Sequence, residues 1–144
     1  MKKCYLDSNL LVYLKNESSP HHVKSATIIS TLVKKETSIF ISPLTIDEYL
    51  HSFQREMRYY KHTNIFPTLK STLDDILHIP LLTIINIPAD YNDQLKIVEL
   101  MEKFSLHSRD AYHLQIMLKN TIDFFATFDT DFKKVFAAKI LRNP

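Results

Sequence analysis

The sequence contains no glycine among its 144 residues. Glycine-rich phosphate loops, dinucleotide-binding fingerprints and the G-x-S-x-G nucleophile elbow need glycine, because it allows close backbone approach and a positive φ at little cost. The sequence therefore argues against these nucleotide-binding and hydrolase classes. It also has one cysteine, Cys4, which is too few for a cysteine zinc site or an internal disulfide. A lone thiol in an apolar segment suits a reducing compartment, so we expect a cytoplasmic protein.

Strong charge and long apolar runs are also lacking. The formal net charge is +2, so a nucleic-acid partner would have to be recognised by a local patch rather than by an overall basic field. The apolar start of the chain is interrupted by Asp7 and Asn9, and no small-residue cleavage site of a signal peptide follows. No segment approaches the roughly 18 apolar residues of a membrane span. We expect a soluble protein with no membrane partner, folded as a single domain over residues 1–144.

Apolar periodicity predicts strands that alternate with helices. Strands are predicted at residues 2–6, 38–42, 81–87, 123–128 and 137–141. Helices are predicted at residues 9–15, 22–35, 44–60, 66–78, 90–104 and 109–120. This order predicts parallel β-α-β units, and hence an α/β fold with a doubly wound parallel sheet and helices on both faces. In such folds the ligand site lies outside the carboxyl ends of the strands.

Four acids belong to this edge of the predicted sheet: Asp7 and Asp129 follow strands, while Glu48 and Asp110 lie in the first turns of helices. Each, taken alone, also fits a helix start. Thr45 has the spacing of a capping box with the second acid, Ser108 could cap the helix that carries the third, and Asp7 and Asp129 could themselves be N-caps. Taken one at a time, these positions therefore leave it open whether each acid is a helix cap or a functional residue.

Taken together, the four acids indicate a functional site rather than four separate helix caps. A parallel topology would bring them into one cleft, and several carboxylates within a few ångströms cannot all ionise at neutral pH without a counter-charge. Mg²⁺ or Mn²⁺ is the usual counter-charge for such hard oxygen ligands. The pattern therefore indicates metal-dependent attack on a phosphodiester.

Four motifs carry a family resemblance. The segments "YLDSNLLVYL", "ISPLTIDEYL", "LHSRDAYHLQIM" and "FFATFDTDF" resemble, in order, the four acidic motifs of PIN domains. The short chain and the closing "AKILRNP" resemble the VapC-type toxins of that superfamily. The resemblance implies a PIN-like fold and a Mg²⁺- or Mn²⁺-dependent endoribonuclease with an RNA substrate. It further implies a small antitoxin protein as partner and a homodimer.

The resemblance also implies roles for individual residues. It assigns metal binding and catalysis to four acids: Asp7, Glu48, Asp110 and Asp129. Asp131 would be an auxiliary ligand or an acid behind the ligands, or else simply a residue at a helix start. Ser8 and Asn9 would orient the first aspartate, although turn or cap residues are expected at the same place. Arg109 precedes the third acid, as an arginine often does in relatives, and is a candidate RNA contact.

A basic and aromatic segment follows the second acid. Arg55, Arg58 and Lys61 could neutralise phosphates, while Tyr59 and Tyr60 could stack on unpaired bases. A protein partner could use the same side chains. A solvated helix end with the tyrosines packed into the core is an equal alternative.

Seven histidines show no metal-ligand spacing, and we expect them at the surface. His113, one turn beyond Asp110, could instead face the cleft and contact RNA.

Two interpretations besides the toxin stay open at this point. One is an RNA-processing PIN nuclease without an antitoxin, and another is a catalytically inactive PIN-like module that binds RNA or protein. A phosphatase interpretation of "DTD" is disfavoured, because position 9, two residues after Asp7, is asparagine rather than an acid.

Overall fold

The structure is a computed structural model that describes residues 1–60 and 63–144. Its strands are β1 (Lys3–Leu6), β2 (Ser38–Ile41), β3 (Leu82–Ile84) and β4 (Phe124–Ala126). Its helices are α1 (Ser8–Lys15), α2 (His22–Lys34), α3 (Pro43–Tyr59), α4 (Phe66–Leu77), α5 (Tyr91–Phe104), α6 (Ser108–Lys119) and α7 (Lys133–Ala137).

The strands form one parallel sheet in the order β3-β2-β1-β4. In the register of β1, Tyr5 lies opposite Phe40 of β2 on one side and Phe125 of β4 on the other. All carboxyl ends therefore lie along one edge of the sheet, with β1 at the centre. The predicted α/β fold with a doubly wound parallel sheet is confirmed.

Each face of the sheet is covered by its own set of helices. Cys4 and Leu6 of β1 belong to a core cluster beneath α1, α2, α3 and α4. Tyr5, which points the other way, belongs to a second cluster with side chains from α5, α6 and α7. Because side chains alternate along a strand, the four residues of β1 contribute to two cores, one on each face of the sheet. Within the described residues, no helix is long and apolar enough to cross a membrane.

The predicted strand at 137–141 is wrong. Residues up to Ala137 belong to α7, because Phe132 and Phe136 recur at helical spacing and pack on Phe125. Beyond α7 the chain touches the sheet through a single parallel bridge between Phe124 and Arg142.

The predicted strand at 81–87 is shorter than expected. β3 ends at Ile84, and one further bond runs from the Ile85 amide to the Ile41 carbonyl over 2.8 Å. Ile85 and Ile87 then turn into the second core cluster, which ends the pairing.

Helix capping also differs from the sequence prediction. The capping box of α3 joins Ser42 and Thr45, not Thr45 and Glu48, because the helix begins at Pro43. Asp7 is the N-cap of α1, as one interpretation held. Ser108 is the first residue of α6, preceded by His107 as N-cap without a side-chain bond. Asp129 caps no helix, since α7 begins only at Lys133.

The lack of glycine has a visible consequence in the turns. In residues 1–60 and 63–144, five non-glycine residues take a positive φ between 51° and 67°, and they are Glu36, Leu81, Ser105, Thr121 and Lys139. Four of these end or follow helices, where glycine is the usual residue. Each such position costs on the order of 1 kcal/mol relative to glycine, because the Cβ atom crowds the neighbouring carbonyl.

Candidate active site

The carboxyl edge of the sheet brings the predicted acids together. Asp7 follows β1 and Asp129 follows β4, while Glu48 and Asp110 reach the same edge from α3 and α6. Their side chains form two groups, in each of which the potential ligand atoms lie within 4.8 Å of one another. The first group, here the inner cluster, consists of Asp7, Glu48 and His113. The second, the outer cluster, consists of Asp110, Asp129 and Asp131.

Asp7 occupies the centre of the site and is only 7% exposed. Its Oδ1 accepts a 2.8 Å hydrogen bond from the Ser8 amide, and its Oδ2 accepts a 2.6 Å bond from the Thr127 hydroxyl. Burial raises the pKa of Asp7, while the Thr127 hydroxyl and the neighbouring His113 act against that rise. A carboxylate has about four lone-pair positions, so two bonds fix its orientation and leave sites for a cation.

The loop after β4 is held in place by the same residues. Thr127 Oγ1 accepts from the Asp129 amide at 2.9 Å, and Asp129 Oδ1 accepts from the Asp131 amide at 2.9 Å. Asn9 Oδ1 accepts from the Phe128 amide at 3.3 Å. Ser8 therefore contacts Asp7 through its backbone, and Asn9 orients the loop that carries Asp129 rather than Asp7 itself.

Thr127 is a site residue that the sequence reasoning missed. Its hydroxyl joins Asp7 to the Asp129 loop, and it is 7% exposed. The available signal was a lone polar residue inside the apolar run "FFATF", two positions before the acid.

Asp110 shows how strongly the acids influence one another. Its pKa is raised to about 6 by partial burial and by the nearby charges of Asp129, Asp7 and Asp131, with His113 acting in the opposite direction. The charge of Glu48 in turn raises the pKa of Asp7, so Asp7 links the inner and outer clusters electrostatically. The site is therefore one negative centre rather than two independent groups.

His113 lies below this centre and is 1% exposed, so the expectation of a surface histidine is wrong for it. Its Nε2 contacts Glu48 Oε1, and its Nδ1 lies 2.8 Å from the Tyr5 hydroxyl. Both ring nitrogens have protein partners, which leaves none for RNA. The useful signal was its spacing, since residues 110 and 113 share one side of a helix.

Tyr5 completes a buried polar network. Its hydroxyl accepts a 2.9 Å bond from Thr45 Oγ1 and lies 2.7 Å from Ser42 Oγ. Burial raises the pKa of Tyr5 well above its ordinary value, so the phenol keeps its proton. A phenol that donates to His113 Nδ1 leaves the proton on Nε2, where it is shared with Glu48. A path of hydrogen bonds thus runs from the core of the sheet to the second acid.

No fixed cation neutralises the acids. In the described part of the chain, no lysine or arginine nitrogen lies within 4.0 Å of the site carboxylates. Asp93, buried on α5 outside the site, differs: it accepts from Gln115 at 2.8 Å and pairs with Lys119 at 3.3 Å. A buried structural acid in this protein has a lysine beside it, whereas the site acids have only the imidazole of His113.

The predicted basic residues lie around or away from this centre. Arg109 is exposed beside Asp110. Arg55 and Arg58 are exposed on α3, about 10 and 15 Å along the helix axis from Glu48. The alternative in which the tyrosines after them pack into the core is wrong, since these side chains are 80% and 67% exposed. Lys61 lies outside the described residues.

The donor set fits a hard divalent cation. Carboxylate oxygens are the ligands that Mg²⁺ and Mn²⁺ prefer, and partial burial together with the neighbouring acids raises the pKa of Asp110. The arrangement is suited to binding such an ion at the exposed side of Asp7, next to the outer cluster.

Comparisons with known proteins agree with this geometry. The chain is 28% identical over 137 residues to ribonuclease VapC2 of Methanocaldococcus jannaschii, and the alignment covers 92% of this chain and 89% of the relative. Its fold is similar to that of VapBC2 from Rickettsia felis bound to a DNA fragment from their promoter, with a TM-score of 0.70, 18% identity and coverage of 98% and 97% of the two chains.

A second similar structure is VapC20 of Mycobacterium tuberculosis, described as a sarcin-ricin loop cleaving toxin. Its TM-score is 0.67 at 14% identity, with 92% of this chain and 94% of that chain covered. Residues 4–137 match the sequence profile of the PIN domain, and they include all the acids of both clusters. The resemblance inferred from the four motifs is confirmed: this chain belongs to the PIN domain family.

Proposed function

We propose that this protein is a metal-dependent endoribonuclease and the toxin of a type II toxin–antitoxin pair. The observation that carries the proposal is the uncompensated acid centre, in which Asp7 joins the inner and outer clusters and the pKa of Asp110 is raised to about 6. Such a centre has a high affinity for a divalent cation and no evident purpose in stabilising the fold, because buried like charges destabilise a folded chain.

The residues proposed to hold the ion are Asp7, Glu48, Asp110 and Asp129, with Asp131 as an auxiliary ligand. Bound there, Mg²⁺ or Mn²⁺ would supply activation of a water and neutralisation of charge on the scissile phosphate. Carboxylates around the ion would orient the water for in-line attack, so no separate side-chain base is assigned.

The remaining site residues position these ligands. Thr127 and the Ser8 amide fix the two oxygens of Asp7, and Asn9 fixes the loop after β4. His113 holds one oxygen of Glu48 and leaves the other free for the ion. Ligands held by second hydrogen bonds in this way bind metal in a defined geometry without reorganisation.

RNA is the proposed substrate, and the cytoplasm is therefore the proposed place of action. Support comes from the relative named as a ribonuclease and from the similar structure described as a sarcin-ricin loop cleaving toxin. Arg109 beside the acids would contact a phosphate next to the cut. Arg55, Arg58 and Lys61 remain proposed contacts for RNA further from it.

Two protein partners are also proposed. An antitoxin is suggested by the VapBC2 assembly, to which this chain is similar in fold. A second copy of the chain is suggested by α5, where Tyr91, Leu95 and Val98 are 78%, 52% and 63% exposed at helical spacing. Replacing Leu95 by glutamate should lower the dimer fraction in light scattering, and an unchanged mass would remove α5 from the interface.

The decisive test is cleavage of a labelled stem-loop RNA by purified protein in Mg²⁺, Mn²⁺ or EDTA, with a DNA of the same sequence alongside. Asp129→Asn should remove cleavage and keep the fold. Asp74→Asn, which changes an exposed acid on α4, is the matched control and should cut as the wild type does. Cleavage that survives EDTA or Asp129→Asn would overturn the proposal.

The toxin assignment has a separate test. Induced expression of the wild type in a bacterial host should arrest growth, while Asp129→Asn at the same protein level should not. Active cleavage in vitro without growth arrest would favour the RNA-processing nuclease instead.

A further inference from the structure

A cluster of aromatic rings and one lysine borders the acid centre and takes no part in holding it. It consists of Tyr13 on α1, His21 before α2, Lys24 on α2 and Phe128 in the loop after β4, and we call it the aromatic platform. The three ring centroids lie 4.8 to 5.3 Å apart, and Lys24 Nζ lies 5.5 Å from the centroid of Phe128.

The platform is fixed to the active site by the backbone. Phe128 immediately precedes Asp129, so their Cα atoms are about 3.8 Å apart. Its amide is held by Asn9, and Tyr13 belongs to the helix that Asp7 caps. The rings are therefore carried by the two segments that adjoin the site, the loop that holds Asp129 and the helix that begins after Asp7.

The platform has an anchored side and an open side. Phe128 is half-buried and packs against the first core cluster, and Tyr13 is half-buried as well. His21 and Lys24 are exposed and form the solvent side of the group. Three differently tilted rings with a cation at the rim would be an unusual choice for simple core packing, because the histidine and the lysine gain little burial from it.

Aromatic faces beside a phosphate-binding centre suit an unpaired nucleobase. Every base has a π-face that stacks on aromatic side chains, and a lysine at the rim can pair with the adjoining phosphate. The exposed tyrosines after Arg58 offer the same chemistry, but α3 runs away from the cleft and places Tyr59 about 16 Å along its axis from Glu48. The platform is the better candidate for a base next to the cut, because Phe128 directly precedes Asp129 in the chain.

We propose that the aromatic platform binds one unpaired base of the RNA next to the scissile phosphate, with His21 stacking on the base and Lys24 contacting the backbone. This inference rests on the proposed function, since it concerns the same substrate. It makes the protein selective for cuts in single-stranded loops, because a base in a duplex is not free to stack there.

The test uses Asp129→Asn protein, which holds RNA without cutting it, and a labelled single-stranded oligonucleotide measured by fluorescence anisotropy. His21→Ala should raise Kd about tenfold with an unchanged salt dependence, because it removes stacking. Lys24→Ala should lower the slope of log K against log salt by about one phosphate contact. The His21→Trp protein should bind the oligonucleotide at least as tightly as the protein that keeps His21.

Matched controls and an abasic scan identify the base. His78→Ala and Lys34→Ala alter exposed residues of the same types away from the cleft and should leave Kd unchanged. A set of oligonucleotides, each with one abasic position, should reveal one site at which loss of the base weakens binding to the parent protein but does not weaken binding to the His21→Ala protein. Stacking between that base and His21 explains such non-additivity.

The outcomes separate this inference from the proposed function. If the wild type cuts RNA with metal but His21→Ala and Lys24→Ala bind and cut as it does, the platform is only a packing feature and the inference is overturned. If the wild type neither binds nor cuts RNA, both fail. A tenfold loss confined to the platform variants, with Mn²⁺ affinity unchanged, supports it.

Discussion

Replacing Tyr5 by phenylalanine removes a single buried oxygen atom and keeps the ring. In the protein that oxygen lies 2.7 Å from Ser42 Oγ, 2.8 Å from His113 Nδ1 and 2.9 Å from Thr45 Oγ1. The change therefore breaks the hydrogen-bond path between the core and Glu48 without creating a large cavity.

The loss of stability follows from these three contacts. A buried hydrogen bond contributes about 1 kcal/mol net, and a partner left unsatisfied costs more. The Ser42 and Thr45 hydroxyls lie 3.5 Å apart and can pair with each other once the phenol is gone, whereas His113 Nδ1 loses its partner. We expect a loss of about 2 kcal/mol, which lowers Tm by roughly 4 to 8 °C for a chain of this size.

A functional loss should accompany it. Without the phenol, the imidazole of His113 is free to change tautomer and tilt, and Glu48 loses its fixed partner. Changes of this kind behind a metal ligand lower metal affinity or activity about 10- to 100-fold. We expect a tenfold or greater rise in the Mn²⁺ Kd of Tyr5→Phe.

Tyr49→Phe is the matched control. Tyr49 is also fully buried, and its hydroxyl donates one 2.7 Å bond to Thr72 Oγ1, away from the acids. It should cost about 1 kcal/mol and leave metal affinity and cleavage unchanged. Denaturant unfolding and Mn²⁺ titration of both variants decide the matter. Equal losses of stability, or an unaltered Mn²⁺ affinity in Tyr5→Phe, would refute the positioning role of the network.

Three further outcomes are expected. In EDTA, the stability of the protein should fall as pH rises from about 4 to about 6. The reason is that the pKa of Asp110 is about 6 in the folded state against an ordinary 3.8, so the folded state holds this proton more tightly than the unfolded state. Asp110→Asn should flatten that part of a curve of Tm against pH, and an unchanged curve would contradict the raised pKa. Thr127→Val should reduce cleavage about tenfold, whereas Thr83→Val on exposed β3 should not, as measured by initial rates. Glu36→Gly should raise the free energy of unfolding by about 0.5 to 1 kcal/mol, since glycine relieves the positive φ, while Ser30→Gly inside α2 should lower it.

Much of the architecture could be predicted because it is encoded locally. The strands before Asp7 and Asp129 show as short apolar runs, and the helices show as apolar stripes at helical spacing. Parallel topology then places residues that follow strands at one edge of the sheet, which is why all four predicted acids meet. That inference needs only the order of elements along the chain.

The buried network could not be predicted in the same way. Nothing near Tyr5 in sequence indicates that its hydroxyl meets His113, which is 108 residues away. Whether a histidine on a helix faces solvent or the cleft depends on how α6 is rotated against the sheet, and periodicity alone left this open. The contact between Thr127 and Asp7, 120 residues apart, is of the same kind.

Helix starts and the last strand failed for a different reason. The box at Thr45 and Glu48 fits the spacing rule, but Ser42 and Pro43 start the helix three residues earlier and take over the cap. The segment 137–141 has a composition compatible with a strand, yet packing of Phe132 and Phe136 on Phe125 extends a helix into it. In both cases tertiary packing selected one of two locally acceptable structures.

We propose that the acids of both clusters form one divalent-cation site. It is tested most directly by calorimetric titration of Mn²⁺ into the metal-free protein, with Asp110→Asn and Asp74→Asn alongside. We expect saturable binding for the wild type and Asp74→Asn, and a loss of at least tenfold in affinity for Asp110→Asn. Absence of saturable binding in the wild type, or equal affinity in all three proteins, would contradict it.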